Sequence, residues 1–355
     1  MNERKLLGID PMSFVRNNLK TMQAYSSARD EYDGSRGVFL DANESPYGNG
    51  LNRYPDPHQK DLKARIAQLK GVDAQMVFLG NGSDEVIDLL YRGFCRPGVD
   101  NVIICSPTYG MYRVAAELND IEVREVMLDQ NFQPDITQVL GACDDQTRML
   151  FLCSPNNPTG NLLNAERVEL LLERFPGLVV LDEAYIDFAP NSSLLMRLEN
   201  FQNLVVLQTF SKAWGLAGIR LGIGFAHPQV VALLSKIKLP YNVNVLSQQK
   251  ALKALGSVFE KETRVKSILS ERFRLEQELS VLDFVENIYS SQANFLLVKV
   301  DNAKRLYRFL IQKGVVVRDR SGMSGLAECL RISVGTPDEN SSLLEALKGY
   351  EKDGQ

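Results

Sequence analysis

Leu178-Val-Val-Leu-Asp-Glu-Ala-Tyr185 is a short apolar run that stops on two carboxylates. Such a run reads as a strand, and a strand ending in an acid sets Asp182 at the carboxyl edge of a parallel sheet. Open α/β sheets bind their ligands at that edge. Taken alone the reading stays open, because a Walker-B aspartate or a solvated strand end looks the same. The neighbouring sequence decides the fold. Short β-branched runs flank the stretch at 76–79, 102–105, 122–126, 149–153, 204–207 and 219–225, separated by amphipathic segments. In 84–94, Val86, Leu90 and Phe94 recur every four residues, and in 165–175, Val168, Leu171, Leu172 and Phe175 share one face behind a capping Asn164. Pro228 is placed to open a helix carrying Val231, Leu234 and Ile237. This alternation predicts an α/β fold: a large doubly wound domain with a mostly parallel, seven-stranded sheet.

After residue 245 the rhythm changes. A charged amphipathic stretch runs to Leu282, strands follow near 294–300, 314–317 and 330–334, and a last helix begins at Pro337. That pattern predicts a smaller α+β domain. The chain then divides into an N-terminal arm and helix (1–37, with Phe14, Val15 and Leu19 as the helical patch), a large domain (38–244) and a small C-terminal domain (245–355).

Composition excludes several function classes. The 355 residues carry 40 Lys+Arg against 44 Asp+Glu, a net charge of −4, which gives no basic footprint for nucleic acid. No apolar run exceeds five residues, so no membrane partner is expected, and Met1-Asn-Glu-Arg-Lys5 has no secretory core. Five cysteines without paired spacing are expected to be reduced thiols in a cytoplasmic protein. Only His58 and His227 are present, so neither a metal site nor a Ser-His-Asp hydrolase is expected.

The chemistry lies at the strand ends. Lys212, in Thr209-Phe-Ser-Lys-Ala-Trp-Gly215, follows a strand amid small and apolar residues, where desolvation can free its amine as a nucleophile. Thr209, Ser211 and Arg220 flank it with groups suited to a phosphate dianion. Phe78-Leu-Gly-Asn-Gly-Ser-Asp-Glu85 joins a strand to a helix through two glycines and offers helix-start N–H groups to an anion, although Ser83 also reads as a plain helix cap. Ser154-Pro-Asn-Asn-Pro-Thr-Gly160 is an irregular loop that aims an amide side chain at the same edge. Ser106-Pro-Thr-Tyr-Gly-Met-Tyr112 puts Tyr109 just past a strand, where its ring can stack on a flat ligand. A carboxylate, a reactive lysine, an amide, a phosphate cradle and an aromatic ring are together what pyridoxal 5′-phosphate requires.

The order of Ser154–Gly160, Asp182–Tyr185, Ser211-Lys212 and Arg220 resembles the fold-type I, aspartate aminotransferase-like enzymes. Val15-Arg16, Tyr25-Ser-Ser-Ala-Arg29, Asp41-Ala-Asn-Glu44, Asn52-Arg-Tyr-Pro55, Pro107–Tyr112 and Leu330-Arg-Ile-Ser-Val-Gly335 narrow the resemblance to the histidinol-phosphate aminotransferases, over residues 12–340. The resemblance implies pyridoxal phosphate as cofactor and a transamination between L-histidinol phosphate and 2-oxoglutarate in histidine biosynthesis. It implies Lys212 as the residue that bonds the cofactor aldehyde and then shuttles the proton, with Asp182 on the ring nitrogen. Asn157 and Tyr185 would meet the ring's 3-oxygen and Tyr109 would stack on the ring. Ser83, Asp84, Ser211, Arg220 and, less directly, Thr209 would hold the phosphate. Tyr54 would reach that phosphate from a second subunit, which implies a homodimer with shared sites.

Histidinol phosphate carries a phosphate ester where glutamate carries its α-carboxylate, so one cationic site must take both anions in turn. Arg331 is the expected anchor, since a planar guanidinium can fork to either. Tyr25, Asn294 and Arg318 are candidates for the remaining phosphate contacts, and Tyr241 for the pocket wall. The rival readings are a threonine-phosphate decarboxylase, an aromatic amino-acid aminotransferase of the same fold, and a cofactor-binding regulator. No basic helix-turn-helix segment favours the last of these.

Overall fold

The computed structural model describes residues 9–26 and 37–353; Ser27–Arg29 of the arm segment lie outside them. Among the described residues eleven strands form two sheets. In chain order they are β1 (Val77–Asn81), β2 (Asn101–Ser106), β3 (Glu122–Met127), β4 (Thr147–Cys153), β5 (Leu178–Asp182), β6 (Leu204–Thr209), β7 (Leu221–Ala226), β8 (Val285–Tyr289), β9 (Phe295–Val300), β10 (Arg318–Asp319) and β11 (Cys329–Ser333). The first sheet has seven strands in the order β1-β7-β6-β5-β4-β2-β3. Its strands from β6 to β3 pair in parallel, and only β7 runs against both of its neighbours.

Both faces of this sheet are covered, as a doubly wound fold requires. Leu150, Leu152, Val179, Leu181 and Val206 enter one core, while Met149, Phe151, Leu178, Val180 and Leu207 enter the other. The alternation is the two-residue period of a strand applied to residues that are apolar on both sides. Helix Ala165–Arg174 starts as its sequence predicts, with the Asn164 side chain accepting from the Arg167 N–H at 3.0 Å. Helix Pro228–Ile237 likewise begins at its proline.

The second sheet is antiparallel throughout, in the order β10-β11-β9-β8. Helices Val258–Leu279, Ala303–Gln312 and Pro337–Asp353 close a separate core around it. A smaller cluster, including Tyr185, Phe188, Ala213, Val265 and Phe295, joins this unit to the end of β5.

Four local expectations need correction. The stretch expected to reach Leu282 as one unit is two helices, Val245–Leu255 and Val258–Leu279, parted at Gly256-Ser257, both poor helix formers. The strand expected at 314–317 is a turn: Gly314 is left-handed, and the Val315 N–H donates back to the Leu310 carbonyl at 2.8 Å, so pairing begins only at Arg318. Residues 76 and 219 close 3-10 turns ahead of β1 and β7 instead of opening those strands. The strand β8, whose apolar residues are interrupted by Glu286 and Asn287, had no apolar run to mark it.

Candidate active site

The carboxyl ends of β4, β5 and β6 open into a cavity of about 590 Å³ between the two sheets. Leu181 points into one core, so Asp182 alternates to the other face, where Tyr112 lies. The Tyr112 hydroxyl donates to Asp182 Oδ2 at 2.8 Å, and the Ala184 N–H donates to Oδ1 at 3.0 Å. Tyr112 is wholly buried and stacks on Phe151 with centroids 4.9 Å apart. Burial pushes the Asp182 carboxyl up to about 6, against the downward pull of those two hydrogen bonds. A cation placed against this carboxylate would offset the burial.

Lys212 follows β6 on a tight turn and borders the same cavity, its Nζ 5.3 Å from the centroid of the Tyr185 ring. Desolvation, then the Arg331 charge, lower its pKa; Asp182 and Asp84 act the other way. Tyr185 is buried, its ring set edge-on to Phe295 at 5.1 Å.

An anion cradle forms where β7 meets helix Gly82–Phe94. A Cβ on Gly222 would stand 2.1 Å from the Ser83 nitrogen, so only glycine allows this approach. Gly82 has φ +74°, and a Cβ there would stand 2.7 Å from Arg220 Nη2. The first-turn N–H groups lack intrahelical partners, and a helix start of this kind is suited to a phosphate. Ser83 sits inside the first turn, not at its cap, which is Asn81. Asp84 is 3.5 Å from the Arg220 guanidinium and accepts from the Tyr109 hydroxyl at 3.1 Å. The hydroxyls of Thr209 and Ser211 lie 3.0 Å apart on the adjoining turn.

The two asparagines of the 154–160 loop divide their work. Asn156 is buried and ties the loop to its neighbour, donating to the Pro107 carbonyl at 2.9 Å and accepting from the Thr108 hydroxyl at 2.8 Å. Asn157 borders the cavity, and its Oδ1 accepts from Arg331 Nη1 at 2.5 Å. Arg331 comes from β11 of the second sheet, directly across from Arg318 on β10. Burial lowers the Arg331 pKa, Tyr185 opposes that, and Arg318 adds to it.

Twelve of the sequence-predicted residues therefore meet around one cavity: Ser83, Asp84, Tyr109, Asn157, Asp182, Tyr185, Thr209, Ser211, Lys212, Arg220, Arg318 and Arg331. Four do not border it within the chain. Tyr54 stacks on Tyr241 at 4.4 Å, and Tyr25 stands exposed beside Pro57, His58 and Lys236. Asn294 engages Val334 through its backbone carbonyl, at the edge of the second sheet. Sequence reading missed Tyr112, whose partner is 70 positions away, and Arg320, which also borders the cavity. Arg320 becomes legible from the Arg-Asp-Arg alternation at 318–320 once the strand is placed there.

A doubly wound sheet with a lysine, a buried carboxylate and an anion cradle at one edge defines a class of cofactor-dependent group-transfer enzyme. The family model "Aminotransferase class I and II" matches residues 32–347, and the chain belongs to that family. It is 53% identical over 339 residues to the "Histidinol-phosphate aminotransferase" of Parabacteroides distasonis, covering 96% of this chain and 98% of that one. Among solved structures it is similar to the histidinol-phosphate aminotransferase from Clostridium acetobutylicum, with a TM-score of 0.79, 28% identity, and coverage of 85% and 92% of the two chains. It is also similar to the Sinorhizobium meliloti histidinol-phosphate aminotransferase in complex with pyridoxal-5′-phosphate (TM-score 0.78, 25% identity, 85% and 84% covered).

Proposed function

We propose that this protein is a pyridoxal phosphate-dependent transaminase that moves the amino group of L-histidinol phosphate to 2-oxoglutarate. The products are imidazole-acetol phosphate and glutamate, and the step belongs to histidine biosynthesis. The observation that carries the reading is that Lys212 shares one cavity with two anion sites of different origin. One is the cradle at the start of helix Gly82–Phe94, and the other is the arginine wall on β10 and β11. Near-full-length identity to relatives of this name favours transamination over threonine-phosphate decarboxylation or aromatic amino-acid transfer.

The residues fit the cofactor. Gly82 and Gly222 allow β7 and Arg220 to close on the helix start at the edge of the cavity, and the buried Asp182 is a carboxylate in need of a cationic partner. Pyridoxal phosphate, when bound, supplies an aldehyde for the substrate amine and a ring that draws electrons from the α-carbon. Asp182 holds the proton of the ring nitrogen, and Tyr112 keeps Asp182 in place and favours its charged form. The amide of Asn157, turned by its bond to Arg331, and the Tyr185 hydroxyl serve the ring's 3-oxygen. Tyr109 walls one face. Ser83, Ser211, Thr209 and Arg220 hold the phosphate.

Lys212 Nζ takes the proton from the substrate α-carbon and returns one to complete each half of the reaction; burial and the Arg331 charge lower its pKa, which favours the free amine this needs. Arg331 forks to the α-carboxylate of glutamate or to the phosphate ester, with Arg318 beside it. In this reading Tyr54 completes the site of a second copy in a homodimer, with Tyr241 stacked against it, whereas the geometry within the chain gives Tyr25 and Asn294 no place at the cavity. The division expected at 37 and 244 into arm, cofactor-binding domain and small domain agrees with the second sheet's separate core, but Ala251 and Leu255 of helix Val245–Leu255 pack into the large domain's core, which moves that edge of the small domain past residue 255. A cytoplasmic location is supported by five unpaired thiols; among the described residues no helix is long and apolar enough to cross a membrane.

The test is each half-reaction taken alone, watched through the cofactor's visible absorbance. L-histidinol phosphate without a keto acid should bleach the band, and 2-oxoglutarate should restore it. Lys212→Ala should bind cofactor and do neither. Carbon dioxide release from threonine phosphate, with histidinol phosphate inert, would replace the reading with a decarboxylase.

A further inference from the structure

Arg320 borders the cavity and has no role in the function above. Arg318 and Arg331 oppose each other across β10 and β11, and the Arg320 N–H donates to the Cys329 carbonyl at 2.9 Å, extending that ladder by one step. The strand pleat returns Arg320 to the face of Arg318. Three guanidiniums thus stand on one wall, and among the described residues no ion pair holds any of them. Asp319, between two of them, is turned away: its Oδ1 accepts from the Ser321 N–H at 2.8 Å and the Ser321 hydroxyl at 2.5 Å. The Nε atoms of Arg320 and Arg331 are both buried without a partner. Burial, then the charges of Arg331 and Arg318, push Arg320 down to about 10, which leaves it cationic at neutral pH.

Uncompensated cations packed this closely are destabilising until an anion joins them. A carboxylate brings one charge and two oxygens, which a single guanidinium fork satisfies. A phosphate monoester brings up to two charges and three oxygens. We infer that Arg320 is a specificity-determining residue for the phosphate ester, supplying beside Arg331 the second charge and third donor that a carboxylate does not need. Arg318 is exposed at the rim, whereas Arg320 is half-buried, so Arg320 acts in less water and counts for more. The inference rests on the transaminase reading above and adds how one site tells its two substrates apart.

The experiment compares wild-type, Arg320→Gln and Arg320→Lys holoenzymes in the two half-reactions, with L-histidinol phosphate and with L-glutamate. Arg320→Gln should lose on the order of 10- to 100-fold in kcat/KM for L-histidinol phosphate, the size of one charge-assisted hydrogen bond. Its glutamate half-reaction should fall by no more than about threefold, a loss confined to one substrate's binding. Arg320→Lys should recover part of the difference, and methyl phosphate should inhibit the glutamate half-reaction of wild type more strongly than that of Arg320→Gln. Equal losses with both substrates, no loss with histidinol phosphate, or a loss confined to glutamate would each overturn the assignment. The bound-cofactor band and the thermal midpoint show whether each variant is folded, and the lysine variant carries the comparison if glutamine does not fold. Wild-type protein inert toward L-histidinol phosphate would instead overturn the transaminase reading, before any variant is compared.

Discussion

Asp182 carries a cost that function imposes on the folded chain. Its carboxyl stands at about 6 in the fold against an ordinary 3.8, so between those values the folded state binds the proton more tightly than the unfolded state. Stability from this group is therefore present below about pH 4, falls as pH rises to about 6, and stays lost above. At about 1.4 kcal/mol per pH unit the loss is roughly 3 kcal/mol. Asp182→Asn should raise the thermal midpoint of the cofactor-free protein at pH 7, by a margin that shrinks toward pH 4, while abolishing turnover. A midpoint difference independent of pH would contradict this account. Tyr112→Phe removes a donor from the charged carboxylate, so the acid limb of kcat should move to higher pH, with a loss of about tenfold from one hydrogen bond to a charged group. An unmoved limb would leave Tyr112 a packing residue. Asp182 and Lys212 were legible in the sequence because each follows an apolar strand directly. Tyr112 was not, because its role depends on which strand lies beside which helix.

The elements place these groups through close backbone approach. The contact of β7 with the start of helix Gly82–Phe94 tolerates no Cβ at Gly222. Gly222→Ala should therefore cost about 3 kcal/mol or more of stability, as overpacking against backbone does. It should also weaken cofactor binding, read as the concentration needed to restore the visible band. Asn164→Ala, at a helix start far from the cradle, should cost about 1 kcal/mol in denaturant unfolding and leave both half-reactions unchanged. If the two variants weaken cofactor equally, the approach at Gly222 is not what sets the cradle. At this scale most strands were readable from apolar runs and three helices, Gly82–Phe94, Ala165–Arg174 and Pro228–Ile237, from their period, whereas Lys60–Lys70, Met111–Leu118, Ile136–Gly141 and Ala303–Gln312 were not singled out. The strands β8 and β10 were not readable either, since Glu286 and Asn287 interrupt the one and the other is two residues long.

Across the whole molecule, the segment ahead of helix Lys60–Lys70 is irregular and carries Val38, Leu40 and Tyr47 far out in solvent. Apolar side chains exposed together in this way suit an interface. The homodimer of the proposed function would cover them and bring Tyr54 to a neighbour's cradle. Mixing Lys212→Ala with Tyr54→Phe subunits should then restore activity that neither homodimer has, because one site in each hybrid regains both native groups. Sedimentation should give twice the chain mass. A monomer, or mixtures no more active than their components, would leave Tyr54 to its own chain.

Period and strand-end chemistry by themselves determined the doubly wound sheet, Asp182, Lys212 and the glycine turn at 80–82, because each is encoded within a few consecutive residues. Tertiary structure alone decided the rest. Asp182 meets Tyr112 through the order of the strands, and Asn157 rather than Asn156 faces the cavity because Asn156 is held by a loop some fifty positions away. Arg318, Arg320 and Arg331 share one wall through a two-residue pairing that no local pattern marks. Those contacts join residues distant in the chain, and their energies depend on burial and on neighbouring charge, which exist only once the two sheets have come together.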